Sequence, residues 1–319
     1  IEFSSPPHTS IDTLIAQLQQ TGTRLTQRAL EFGIELRTVG IDPLHDIADA
    51  PLQLTGTRYA RMDRYFATIG QAGARMMRQT AALQLSIDPA HDPILTWSVL
   101  NRAAPVLTAL FAYSRVYNTR DTGCASYRAQ QWLELDPGRT GVFRETDAVA
   151  EYARFALDAP FIGDAAPYVP FRERATDEDW EYHISTLFPE VRPKAYYEVR
   201  CIDSIPLSSV AAPIALISAI VWDEAALHEA DALLDVAEPP LRLEDPLPVA
   251  VESDDEPAHH LQAGAVQRSH RLHQVARLAR LLRTEQRPGV VRMPHQVSPI
   301  HLLGFGGPPF TSTRHMRQL

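Results

Sequence analysis

Glu198 and Arg200, two residues apart, are the most chemically loaded pair in this chain. They lie in the stretch 195–203, where alternation predicts a strand. A period of two puts Tyr196, Glu198, Arg200 and Ile202 on one face and Tyr197, Val199, Cys201 and Asp203 on the other. A guanidinium fork held beside a carboxylate suits an anionic ligand, either carboxylate or phosphate. The same pair equally describes an ordinary cross-strand ion pair, and the pattern alone leaves both readings open. Gln84 sits comparably on a second alternating stretch, 80–88, where Leu83, Leu85 and Ile87 face one way and Gln84, Ser86 and Asp88 the other. Glu2, between Ile1 and Phe3, is a lone carboxylate pointing away from apolar neighbours, the hard ligand type that a Mg²⁺-nucleotide site uses. Arginines 58, 61, 64, 75, 78, 115, 120, 128 and 139 are spread over about 80 residues. A carboxylate-binding site needs only one or two of them, and Arg128 and Arg139 lie in loop-like segments, where site residues concentrate.

Other chemistries find little support. Cys201 reads as an inert core thiol rather than a nucleophile. His259, His260, His270 and His273 have no cysteine near them and make a poor zinc site. No phosphate-loop, dinucleotide-glycine or nucleophile-elbow motif occurs, and the glycines at 304, 306 and 307 lack a following lysine and helix. The 319 residues carry a net charge of −9, which argues against a basic nucleic-acid surface. No window approaches the roughly 18 apolar residues of a membrane span. Two cysteines and no leader pattern point to the cytoplasm. Lys194 is the only lysine, so 29 of the 30 basic residues are arginine, as high-GC coding would produce.

The elements that must position these groups are partly legible. Ser10 is an N-cap for a helix carrying Ile11, Leu14, Ile15 and Leu18, with Gly33 at its end. A second helix runs over 59–70. Asp92 and Pro93 open an apolar helix through Phe111, with Pro105 as a kink. Residues 113–143 read as loop with short elements, 147–156 as helix, Phe188 and Pro189 as a turn, and 208–236 as buried helix. Five prolines and seven acidic residues mark 238–258 as a linker. From 259 to the end, nine arginines face one acid, and 272–282 is compatible with one basic amphipathic helix. Beyond Arg287 no periodicity stands out. The domain reading is therefore 1–237 as a catalytic unit, 238–258 as linker and 259–319 as a basic tail, with partner binding as one use for that tail.

Six segments together resemble the plant and proteobacterial type of glutamate–cysteine ligase, including its ergothioneine-pathway branch. They are IEFSSPP (1–7), RYARMDRYFATIG (58–70), GARMMRQTAALQLSID (73–88), SYRAQQWLELDPGRTG (126–141), YARFALDAPF (152–161) and HISTLFPEVRPKAYYEVRCIDSIP (183–206). The resemblance implies an α+β fold like that of glutamine synthetase, an antiparallel sheet funnel with helices packed outside. It implies ATP- and Mg²⁺-dependent joining of L-glutamate to L-cysteine through a γ-glutamyl phosphate. By position, Glu2 matches a metal ligand, Arg58 and Arg128 match arginines on substrate carboxylate, and Gln84 matches a glutamine lining the site. Arg200 matches the arginine of a Glu-x-Arg-Gly-x-Asp element, with Glu198 beside it; a phosphate-side role for Arg200 is an inference from its charge. Ile162 stands where plant members carry a tyrosine near the cysteine pocket. The family's upstream strand of glutamates has no counterpart after Ile1, so the chain reads as an N-terminally truncated piece. Two alternatives remain: a non-catalytic homologue that binds an amino acid, and a γ-glutamyl ligase using another amine.

Overall fold

The computed structural model describes residues 2–143, 147–174 and 176–234, together with the backbone of 297–303. An antiparallel sheet of five strands organises it: β1 (Glu2–Ser4), β2 (Ala82–Ile87), β3 (Val191–Pro193), β4 (Tyr197–Asp203) and β5 (Val297–Leu303). Their order is β1-β5-β2-β4-β3. The fold is therefore α+β with an antiparallel sheet. The fifth strand lies beyond Arg287, where the sequence shows no period, and it separates β1 from β2.

One face of the sheet is dry. Leu83, Leu85, Ile87 and Val199, each at most 1% exposed, meet Val99, Leu100 and Ala103 of α4 (Pro93–Leu110). Leu14 and Leu18 of α1 (Ile11–Glu31) and Ile214, Ile217 and Val221 from helix Ala211–Trp222 join the same core. Burying such side chains contributes about 1.5–3 kcal/mol each, which pins the register of the strands. Phe3 packs against this core, so Glu2 and Ser4 project to the opposite face with Gln84, Ser86 and Glu198.

Strict alternation fails within β4. Leu83 pairs with Ile202 but Leu85 pairs with Val199, so Arg200 and Cys201 together oppose Gln84. This bulge places both Cys201 and Ile202 in the core, and the two-face assignment made from the period of two therefore breaks beyond Arg200.

The helix signals of α1 and α4 hold. Asp92 Oδ1 accepts from the amides of Ile94 (2.9 Å) and Leu95 (3.0 Å), and Pro105 lies within the helix. The segment read as loop contains a helix, α5 (Tyr127–Leu135), capped by Ser126, whose Oγ accepts from the Ala129 amide at 3.0 Å. The 59–70 helix is α2 (Thr57–Ala67), followed by α3 (Ala72–Arg78). Helix α6 (Ala148–Asp158) matches its reading, while α7 (Asp177–Ser185) was hidden by its mixed polar pattern. Phe188 and Pro189 form a short strand parallel to Thr140 and Gly141 rather than a turn. The long buried helix breaks at Asp223 into α8 (Ala211–Trp222) and α9 (Glu224–Leu234), bent by 99°, and Asp223 Oδ1 caps the second through the Ala226 amide. Among the described residues no single helix is long and apolar enough to cross a membrane.

His183 anchors α7 from within. It is fully buried, stacks on Phe171 with centroids 4.2 Å apart, and its Nε2 meets the Ala156 carbonyl at 2.7 Å. Burial lowers its pKa to about 4 from an ordinary 6.5. The unfolded chain therefore takes up a proton first as pH falls, so stability present above pH 6.5 drains away down to about pH 4. Urea unfolding at pH 7 and pH 5 should show a loss of about 2 kcal/mol in this window. In His183→Phe that loss should shrink; an unchanged slope would show that another group titrates.

Candidate functional site

The site is built by the β3–β4 hairpin. Its register pairs Arg192 with Glu198 and Pro193 with Tyr197, and the Lys194 amide closes the turn on the Tyr196 carbonyl at 2.8 Å. This geometry gathers three cations about one carboxylate. Glu198, only 3% exposed, accepts from Lys194 Nζ at 2.9 Å through Oε1; its Oε2 lies 3.3 Å from Arg192 Nη1 and 3.5 Å from Arg200 Nε. Burial alone would raise the Glu198 pKa, but Arg200, Arg192 and Lys194 outweigh it and hold the carboxyl below the usual range. For Arg200, burial lowers the pKa to about 9, with Arg192 pushing the same way. The cross-strand ion pair is Arg192 with Glu198, while Arg200 pairs with Glu198 along the same strand.

Arg200 then has capacity to spare. Its guanidinium lies over the Phe188 ring at 5.8 Å, yet Nε and Nη1 are buried without a hydrogen-bond partner, as is Nε of Arg192. Ser86, paired with Glu198 across the sheet, also has a buried Oγ without a partner. Unfilled cationic donors in a buried place are costly, and an anion satisfies them.

Arg128 is close but differently employed. Its guanidinium donates to the carbonyls of Arg200 (2.7 Å) and Cys201 (3.4 Å), the two bulge residues, and stacks over Trp132 at 4.5 Å. Its counter-charge is Asp203, 3.7 Å away. Asp203 accepts from the Tyr113 amide (2.7 Å), Ser114 Oγ (2.6 Å) and Ser126 Oγ (3.0 Å), tying the 113–126 loop to β4. Gly40 is required there, since a Cβ would come within 2.6 Å of the Asp203 carboxyl carbon. Burial raises the pKa of Asp203 and of the neighbouring Glu190.

A second set of arginines holds the C-terminal end of α7. Arg58 donates to the Ser185 carbonyl (2.5 Å), Arg139 to that of Thr186 (3.3 Å) and Arg192 to that of Leu187 (2.8 Å). Ser185 ends the helix and Thr186 caps it, so cations on those two carbonyls fit both hydrogen bonding and the helix dipole, and Arg192 holds the chain just beyond. Arg139 is fully buried, 3.1 Å from Asp136 and 4.7 Å above the Tyr65 ring.

Of the expected site residues, Glu198, Arg200 and Gln84 come together, with Arg128 immediately behind the bulge. Arg58 reaches the cluster through Arg192, whose charge helps burial to lower the Arg58 pKa. Glu2 shares the polar sheet face but is exposed and two strands from Gln84, about 10 Å at ordinary strand spacing. Among the described residues no three His, Cys, Asp or Glu side chains converge as a metal site. Burial pushes the Cys201 thiol pKa up, in keeping with an inert core role. The histidines at 259–273, the linker and the 272–282 helix lie outside the described residues. Sequence reading passed over Arg192, Lys194, Glu190 and Asp203. The signal for the first two was the repeated alternation either side of 194–196, a hairpin pattern that pairs Arg192 with Glu198.

Fold and geometry together define an antiparallel sheet whose polar face carries a buried carboxylate with three cations about it. A sequence profile of glutamate–cysteine ligase family 2 (GCS2) matches residues 1–283, and the chain belongs to that family. It is 31% identical over 257 residues to glutamate–cysteine ligase EgtA of Mycolicibacterium smegmatis, covering 72% of this chain and 60% of that protein. With the chloroplastic glutamate–cysteine ligase of Medicago truncatula it shares 30% over 253 residues, 71% of this chain and 49% of the relative. EgtA of Mycobacterium tuberculosis is 30% identical over 270 residues, 75% and 60%. The chain thus spans between half and three fifths of these relatives' length.

Replacing Asp203 by alanine strands a buried Arg128 and removes the acceptor from two serines. The expected loss is about 3–5 kcal/mol in urea unfolding. A loss under about 1 kcal/mol would mean that the bulge carbonyls alone hold Arg128.

Proposed function

We propose that this chain supplies most of the catalytic unit of an ATP-dependent glutamate–cysteine ligase, forming γ-glutamylcysteine for glutathione or ergothioneine synthesis in the cytoplasm. The observation that carries this is the buried Glu198 carboxylate with Arg192, Arg200 and the more open Lys194 about it, and with guanidinium donors left unfilled. Phosphoryl transfer asks for that excess of fixed positive charge in a water-poor place. In this reading L-glutamate presents its γ-carboxylate for phosphorylation, and the amine of L-cysteine displaces phosphate from the acyl carbon.

The chain's own residues divide the work. Arg200 offers Nε and Nη1 to phosphoryl oxygens, and Glu198 fixes the guanidinium in place. Gln84, opposite Arg200 at the bulge, lines the floor. Arg58 and Arg128 take a substrate carboxylate by sharing or exchanging the carbonyls they now hold, and Ile162, fully buried beside Phe188, shapes the wall toward the amine. ATP supplies the phosphoryl group, and the unfilled arginine donors fit its phosphates. Mg²⁺ would take Glu2 as one ligand, and the described residues hold no group of three His, Cys, Asp or Glu side chains to complete its site. The catalytic unit is taken as 1–237 with β5 added. β1 is an edge strand of the sheet among the described residues, so its outer backbone groups are open to pairing with a further strand.

The test is mass-spectrometric detection of product from glutamate, cysteine and ATP by the full-length protein. Arg200→Met should lower kcat/KM at least about 100-fold. Product with another amine but not cysteine would move the reading to a different γ-glutamyl ligase. Saturable amino-acid binding with no product would support the non-catalytic alternative.

A further inference from the structure

In a chain where 29 of 30 basic residues are arginine, the single lysine occupies a telling place. Lys194 sits at the turn of the β3–β4 hairpin, and its Nζ makes the hydrogen bond to Glu198 Oε1 at 2.9 Å. Of the three cations about Glu198 it is the open one: its side chain is 36% exposed, against 19% for Arg192 and 11% for Arg200. In the same position its Nζ lies 3.4 Å from Tyr196 Oη and 5.4 Å from that ring's centre, so Glu198 is not its only neighbour. Arg192 and Arg200 both stand on the other carboxylate oxygen, Oε2, which makes no hydrogen bond. Glu198 can therefore lose the lysine without losing its counter-charge. The two arginines differ in freedom, since Arg192 is committed to the Leu187 carbonyl and Arg200 is almost wholly enclosed. An ammonium is a compact charge on a flexible stem, free to exchange one oxygen for another, whereas a guanidinium fork in the same place would lock onto the carboxylate bidentately.

We propose that Lys194 is a movable anion-binding residue, whose ammonium leaves Glu198 Oε1 for a phosphoryl oxygen of a ligand lodged against the unfilled donors of Arg200. Glu198 acts as the resident anion that holds Lys194 at the rim until the ligand arrives. The inference deepens the ligase reading and rests on it for the phosphorylated class of ligand.

The single lysine makes the test direct. Protein grown with ¹³C-lysine gives a Lys194 Cε resonance, identified by its absence in Lys194→Met, and inorganic pyrophosphate serves as the probe. The expected result is a saturable shift of that resonance, with no comparable shift from glutamate alone. Calorimetry should show pyrophosphate binding weakened about tenfold in Lys194→Met, a surface change that leaves the core intact. Pyrophosphate binding that leaves the resonance in place, a shift with glutamate but not pyrophosphate, or no pyrophosphate binding would each overturn the proposal. No turnover is needed for this readout. Failure of the ligase reading appears separately, as absence of γ-glutamyl product in an otherwise binding-competent protein.

Discussion

Burial of the Glu198 carboxylate among Arg192, Lys194 and Arg200 is the interaction on which the rest of the site depends. Among the described residues Glu198 is the one carboxylate that pairs with all three, and the other acid near Arg200, Glu190, has its pKa raised by burial. Without Glu198, three like charges at the end of one hairpin would repel in a place with little water to screen them. With it, they are held together and still in excess. The hairpin register enforces the arrangement, because Arg192 and Glu198 are directly paired and Arg200 follows two residues on. The bulge after Val199 then sets where β4 turns its polar groups, with Asp203 carried onto the loop that contains Ser114 and Ser126.

Arginine also performs a second, structural task in this protein. Arg58, Arg139 and Arg192 hold three successive carbonyls after α7, and Arg128 holds two at the bulge. These guanidiniums border the anion cluster, so the framework that positions the site is made of the same groups as the site. Arg192 belongs to both: it holds the Leu187 carbonyl and faces Glu198. That double duty links the end of α7 to the charge balance on β4. It also means that a ligand competing for one of these arginines acts on the backbone it holds.

Much of this was legible from residue order. The apolar alternation of 80–88 and the capped helix after Asp92 were plain because each local pattern agrees with its burial. Glu198, Arg200 and Gln84 were found because charged or amide groups on a half-apolar strand stand out. What escaped did so for physical reasons. A bulge leaves no mark on a period of two until the partner strand is known, so Cys201 and Ile202 could not both be placed in the core beforehand. Arg192 and Lys194 looked like turn charges, because their importance comes from pairing across a hairpin. Arg58 and Arg128 matched a family pattern, but their backbone acceptors are 127 and 72 residues away in the chain. The strand Val297–Leu303 is specified by the neighbours that enclose it, β1 and β2, more than by its own composition.

The ligase reading stands only if the positive charge about Glu198 binds an anion rather than forming a structural knot. Crystals soaked in tungstate, read by anomalous scattering, test it most directly. The account predicts a strong peak within hydrogen-bond distance of Arg200 Nε or Nη1, on the polar side of β4. A map with tungstate bound elsewhere on the protein, and the Arg200 donors satisfied by a protein carbonyl or carboxylate instead, would contradict it.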